Sequence, residues 1–369
     1  MWWAFLKRHA WWIIPLLIAD YYLFRWLLSR SPHEDQAVAE TAVVAPIVEE
    51  PAGPPPVQYT YPTDQHDLWN TESTEVFQPT ASGRIESALF GSTRTRSFGG
   101  RLLPAFHMGI DIASMQRDRR GRPLDQIYAV AEGRVGYINR VAGNSNYGIY
   151  IVLLHDDPVG EIYTLYAHLA RVEPGLSEGQ TVERGQVIGV MGNTASTGLP
   201  MVRAHLHLEV GVVKNQRFLS WYRTQDLPVV HGTYHGFNLT GIDPLAIFGE
   251  RDGDLRFSLL DYLQELPPAF TIALHSDKTP DYFIRYPLLW QGPPHRGEAV
   301  VLTVSEAGVP LSGRTATEEE VRAMGRHRAH VIDVDEDVLG RNGRRHIVRR
   351  SGNWALGASG ERWMNILLY

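Results

Sequence analysis

Ala204-His205-Leu206-His207-Leu208-Glu209-Val210 sets two histidines two residues apart inside an alternating apolar run. Successive side chains of a β-strand leave opposite faces, so both imidazoles leave the same face, about 6.5 Å apart along the backbone. That spacing suits two neighbours in one site, such as a metal ligand and a catalytic base. In a chain with 15 histidines such a pair also arises by chance, so its meaning depends on partners elsewhere.

The strands around it are legible. Ile127–Ala131 and Arg134–Asn139 flank the turn Glu132-Gly133, and Tyr147–His155 and Ile162–His168 flank Asp156-Asp157-Pro158. Val182 and Val187–Gly192 bracket Arg184-Gly185, and His205–Val213 closes the series. Short runs punctuated by Gly, Asn, Asp and Pro predict an antiparallel β-sheet. Upstream stands His107-Met108-Gly109-Ile110-Asp111, with Gly109 at an expected bend from strand to loop. Nitrogens from His107 and one histidine of the pair, with an oxygen from Asp111, make three ligands. A tetrahedral zinc ion would keep its fourth position open, as catalytic sites do. Tyr166-Ala167-His168 supplies a further histidine at a strand end.

In this order the three elements resemble the lysostaphin-type (LytM-like) zinc endopeptidases, whose pattern is His-x-Gly-x-Asp, Tyr-x-His and His-x-His. Asn146-Tyr147-Gly148, Gly179 to Gly189 and Thr194 to Gly198 match as well, and the resemblance covers about 77–248. It implies one zinc per chain held by His107, Asp111 and His207, with His168 and His205 as catalytic histidines. His205 is expected as general base on the metal-activated water and His168 as hydrogen-bond donor to the oxyanion, a division of labour that the sequence leaves open. Alternation puts Glu209 on the face of His207, where it can support that ring. His155, His231 and His235 read as structural or surface residues. The basic loop Arg117–Arg122 and the thirty residues after Val213 depart from compact family members; both can border the cleft and alter substrate choice.

The chain has 369 residues, 44% hydrophobic and 21% charged, with no cysteine and a net charge of −6. That charge argues against a nucleic-acid partner, and the missing cysteine excludes disulfides, thiolate zinc sites and a lipoprotein anchor. Residues 1–30 carry a basic head, Lys7-Arg8-His9, before an apolar, Trp- and Tyr-rich stretch. They read as a signal-anchor forming an N-terminal membrane helix, with a cleaved signal or an interfacial or core helix as alternatives. Residues 31–76 read as a tether, Pro-, Ala- and Glu-rich up to Thr60. The peptidase domain is expected over 77–250 and a small accessory α+β domain of unidentified role over 251–369. In the latter, a helical stripe runs from Asp254 to Leu266, Thr317-Glu318-Glu319-Glu320 opens a second helix through Arg328, and Arg341 to Arg350 form a basic patch, read as a solvated hairpin ahead of a contact with wall polymer, anionic lipid or an acidic partner.

The fold class is therefore mainly β: an antiparallel peptidase domain, a small α+β C-terminal domain and a membrane helix. The expected function is hydrolysis of peptide cross-links of bacterial peptidoglycan, with the stem peptides as partners. The location is the cell envelope, anchored to the membrane with the catalytic part outside the cytoplasm (periplasmic in a Gram-negative cell). Two rivals stay open: a non-catalytic envelope protein that activates a separate wall hydrolase, and a zinc peptidase acting on protein.

Overall fold

Gly109 and the strand after it determine where the site can form. A computed structural model describes residues 56–98, 101–251, 253, 255–340 and 344–369, the backbone alone over 96–98 and 101–104. Strands β1 (Val57–Gln58), β2 (Thr93–Phe98), β3 (Arg101–Phe106) and β4 (Ile110–Ala113) open the chain. There follow β5 (Gln126–Tyr128), β6 (Gly133–Asn139), β7 (Ile149–Asp157), β8 (Gly160–Val172), β9 (Thr181–Val182), β10 (Val187–Met191), β11 (His205–Val213) and β12 (Leu239–Ile242). Nine of them, β4 to β12, form one sheet with the order β12-β11-β8-β7-β6-β9, to which β4 adds beside β11 and β10 links β8 to β5. Every pairing in it is antiparallel.

The nine residues of β11 are all buried. Leu206, Leu208, Val210 and Val212 face the main core beside Ile110 and Ile112, each contributing about 1.5–3 kcal/mol. The opposite face carries His205, His207 and Glu209. β7 and β8 pair from Ile149 to Asp157 as the sequence predicts. The expected hairpin across Glu132-Gly133 does not form, because β5 pairs with β10 and β6 with β7 and β9. Between β5 and β6 the Ala129 amide goes to Gln186 O (2.9 Å) and the Val130 amide to the Tyr166 hydroxyl (3.0 Å), so this stretch crosses the core instead of turning back.

The C-terminal half begins with helices α1 (Phe218–Arg223) and α2 (Leu245–Phe248), then β13 (Arg256–Phe257) and α3 (Leu259–Glu265). Its sheet holds β14 (Phe270–His275), β15 (Trp290–Gln291), β16 (Ala299–Val304), β17 (Pro310–Thr315) and β18 (Ala329–Val334) in the order β15-β17-β16-β14-β18. Around it lie α4 (Asp281–Arg285), α5 (Glu318–Met324), α6 (Glu336–Leu339), the hairpin β19 (Ile347–Arg350) and β20 (Asn353–Leu356), and α7 (Ala358–Leu367). The stripe at Asp254 yields a shorter helix than expected, because Arg256–Phe257 pairs with Val57–Gln58 before Ser258 caps α3. The Thr317–Glu320 capping box forms, and α5 stops at Met324 where Gly325 takes φ 57°.

One buried cluster runs through both halves, from Tyr59 and Phe77 through Leu206 to Phe270, Leu302 and Trp363. Residues 57–76, expected as tether, are therefore packed: Tyr59, Leu68 and Val76 are buried. Tyr286 donates to Glu161 O (2.5 Å), Arg285 to Val213 O (2.6 Å) and Asn215 to Ile366 O (2.8 Å), tying the halves together. The expected membrane segment, 1–30, lies outside the described residues; among the described residues no helix is long and apolar enough to cross a membrane.

Candidate metal centre

Register brings the predicted residues together. In β11, His207 stands opposite Asp111 of β4 on one side and Ala167 of β8 on the other. Asp111 therefore faces His207 across one ladder, and His168 follows the residue that faces it across the other. His107 is set by the bend at Gly109, where a Cβ would fall 2.1 Å from Leu208 O. Only glycine lets this segment approach β11 so closely.

Three donor atoms converge. His107 Nε2 lies 3.1 Å from Asp111 Oδ1 and 3.0 Å from His207 Nδ1, and the latter two are 2.8 Å apart. Donors about 2.0–2.1 Å from a tetrahedral zinc lie about 3.3 Å from one another, so a slight relaxation accommodates the ion. The remaining polar atom of each ligand is already engaged on the outer side. His107 Nδ1 donates to Leu89 O (2.8 Å), Arg94 Nη2 donates to Asp111 Oδ2 (2.5 Å), and His207 Nε2 meets Glu209 Oε1 (3.0 Å). His107, Asp111 and His207 are thus a buried His-Asp-His set able to hold a metal ion.

The electrostatics fit a cation. Burial pulls His107 down to about 4, against the pull of Asp111, so its Nε2 is a free lone pair at neutral pH. Burial opposes charge on His207 too, yet hydrogen bonds to Asp111 and Glu209 lift it to about 9. Burial favours a protonated Asp111, but His107 and Arg94 hold its carboxyl well below the usual range. Exchanging the His207 Nδ1 proton for a divalent cation would keep the Nε2–H bond to Glu209 and add one positive charge, which the Asp111 and Glu209 carboxylates face. Glu209 is itself buried, and bonds from His207, Tyr147 Oη (2.7 Å) and Tyr163 Oη (3.0 Å) keep it ionised.

His168 and His205 stand beside this set, with ring centroids 4.8 Å apart, and His168 is 5.9 Å from the His207 ring. His205 Nδ1 donates to Arg203 O (2.7 Å) and His168 Nδ1 to Thr194 O (2.9 Å). A carbonyl can only accept, so each neutral ring keeps its lone pair on Nε2. His205 Nε2 lies 3.5 Å from Asp111 Oδ1. Burial, reinforced by His205 and His207, pushes His168 down to about 3. His168 also holds φ 60°, a left-handed conformation that a residue with a Cβ adopts at some cost.

His155 is structural, bonded to Glu132 O and Thr164 Oγ1 (2.7 and 2.8 Å). His231 and His235 instead line the cleft over the metal set, with Nδ1 of His231 bonded to Tyr150 Oη (3.0 Å). Arg117 of the basic loop donates to Met201 O and Ala204 O, bracing the entry to β11. Sequence reasoning missed Arg94, Tyr147 and Tyr163 as supports of the ligands. Tyr163 could have been found, since it shares the alternation of Leu165 and Ala167 on β8. Nothing in the sequence singles out Arg94.

The model of Peptidase family M23 matches residues 105–219, which contain all five motif residues. This segment belongs to that family. The M23 segment is also 35% identical, over 124 residues, to an uncharacterized metalloprotease of Haemophilus influenzae. Those residues are 33% of this chain and 22% of the relative, so the match spans about a fifth of the relative's length. Among solved structures, a zinc-containing peptidase from Vibrio cholerae is 25% identical over 42% of this chain and 37% of that one, with a TM-score of 0.28. The catalytic domain of lysostaphin, an antimicrobial peptidase from Staphylococcus simulans, is 19% identical over 44% of this chain and 90% of that one, again with a TM-score of 0.28.

Proposed function

We propose that the chain is a zinc metallo-endopeptidase that hydrolyses peptide cross-links of bacterial peptidoglycan. The observation that carries this reading is the convergence of His107 Nε2, Asp111 Oδ1 and His207 Nδ1, with the Nε2 lone pairs of His168 and His205 beside them. Zinc bound there supplies Lewis-acid activation of a water and of the scissile carbonyl. His205, its Nδ1–H pinned on Arg203 O, presents Nε2 to take the proton of the attacking water. His168 has the same tautomer, so it donates to a developing oxyanion only after Nε2 is protonated. Negative charge forming beside it favours that protonation, and the same ring can then pass its proton to the leaving amine. Substrate class and location follow from the motif resemblance and from the apolar, aromatic residues 1–30, which suit an anchor with the M23 segment outside the cytoplasm. The test is muropeptide analysis of purified sacculi digested with the zinc-loaded protein. A loss of cross-linked muropeptides with a matching gain of uncross-linked ones is expected; a metal-loaded protein that leaves the cross-links intact overturns the reading and favours an activator of another hydrolase.

A further inference from the structure

The metal set opens into a cleft of about 950 Å³ whose far wall comes from the C-terminal half. Val348 of β19, Gly357 and Ala358 before and in α7, and Trp363 line it together with His207 and Glu209. The basic patch read as a solvated hairpin is therefore divided. Arg349 lies over Trp354 and pairs with Glu336 on the surface, whereas Arg344 and Arg345 face the cleft.

The cleft is strongly cationic in a chain whose net charge is −6. Arg94, Arg203, Arg344, Arg345 and Arg362 line it, and among the described residues Glu209 is the one acid that does. Lys214 lines it too, but burial pushes that ammonium well down and it donates to Phe237 O and Leu239 O. Glu209 is engaged by His207, Tyr147 and Tyr163 and also acts on Arg344, so a single carboxylate stands against five arginines. Three of these are also engaged: Arg94 with Asp111, Arg344 over Phe106 (5.1 Å) and Arg362 over Phe237 (4.2 Å). Arg203 and Arg345 differ. Among the described residues neither guanidinium has a hydrogen-bond or ion-pair partner, and they come from opposite halves of the fold. Arg345 also holds φ 54°, a strained conformation retained at the cleft wall.

We propose that Arg203 and Arg345 form a carboxylate-binding subsite, which selects peptides carrying a free carboxylate near the bond presented to the metal centre. Guanidinium forks match carboxylate oxygens in geometry as well as charge. The accessory half would thus act as a specificity wall. The inference rests on the peptidase reading, since it assumes a peptide lying across the metal centre.

The test uses the full zinc-loaded chain and two probes, Nα,Nε-diacetyl-L-lysyl-D-alanyl-D-alanine and its C-terminal carboxamide, titrated calorimetrically. Arg345→Asn suits the left-handed backbone and Arg203→Gln keeps the stem, and zinc content verifies each fold. The acid should bind about tenfold tighter than the amide in the wild type, and the ratio should fall to about threefold or less in either variant. Equal binding of the two probes, or no binding of either at millimolar concentration, overturns the subsite. A preference kept in both variants overturns it too, because the carboxylate then sits on the metal. Sacculus digestion in parallel separates the two ideas. Cutting without acid preference sinks the subsite alone, and acid preference without cutting sinks the peptidase reading alone.

Discussion

At the scale of single residues, the two histidines of β11 have different surroundings despite their shared face. His207 is gripped at both nitrogens, by Asp111 and by Glu209, whereas His205 is hydrogen-bonded through Nδ1 and its Nε2 stands 3.5 Å from Asp111 Oδ1. His107→Ala should therefore abolish zinc binding, while His205→Ala should keep close to one zinc per chain and lose turnover. Metal analysis beside a peptidase assay checks both, and a His205→Ala protein without zinc would reverse the assignment. Glu209→Gln removes the charge that sustains the Nε2–H of His207. Metal affinity should drop about 10–100-fold, measured by chelator competition. His168→Asn tests the strained position. Asparagine tolerates φ 60° well, so the melting temperature should hold while turnover falls by about 10²-fold or more; a lower melting temperature with activity intact would make His168 structural.

At the scale of elements, β4 and β11 make the site, and their contact depends on a missing side chain. Gly109→Ala pushes a methyl against Leu208 O, so stability should fall by about 1–3 kcal/mol in urea and zinc affinity with it. The limits of β11, the β7–β8 hairpin and the capping box of α5 were all legible in the sequence, because alternation, turn residues and caps are local signals. The pairing of β5 with β10 was not, since periodicity says which face is buried and not which strand covers it. The same reason hid Arg94, which reaches Asp111 from a neighbouring hairpin, and Arg344 and Arg345, whose basic run looks the same in sequence whether it meets solvent or a cleft. The five motif residues were legible because the pattern records chemistry that several distant strands must share.

At the scale of the whole molecule, several histidines are kept neutral by burial in the folded chain. Burial lowers His235 to about 4, lowers His155, and pushes His346 well down. Their unfolded values lie near 6.5, so below that pH the unfolded chain binds protons that the folded chain refuses. Stability should therefore fall on going from pH 7.5 to 5.5, by about 1 kcal/mol per histidine per pH unit below 6.5, with urea midpoints as the readout. His207, raised to about 9, and Asp157 and Asp243, raised by burial, act in the opposite sense, the two acids only as pH nears the carboxylate range. A midpoint that does not move would mean these rings are not held neutral.

The docking of α7 has a consequence in time. Trp363 and Leu367 sit in the same buried cluster as Leu206 of β11, and Ile366 accepts from Asn215. A ribosome delivers β11 some 150 residues before α7, and contacts so distant in sequence close slowly. The strands that hold the metal ligands are thus made first and wait for α7. Until it arrives, the cleft lacks its cationic wall, so a nascent chain carries the ligands of a peptidase well before it carries the means to choose a substrate.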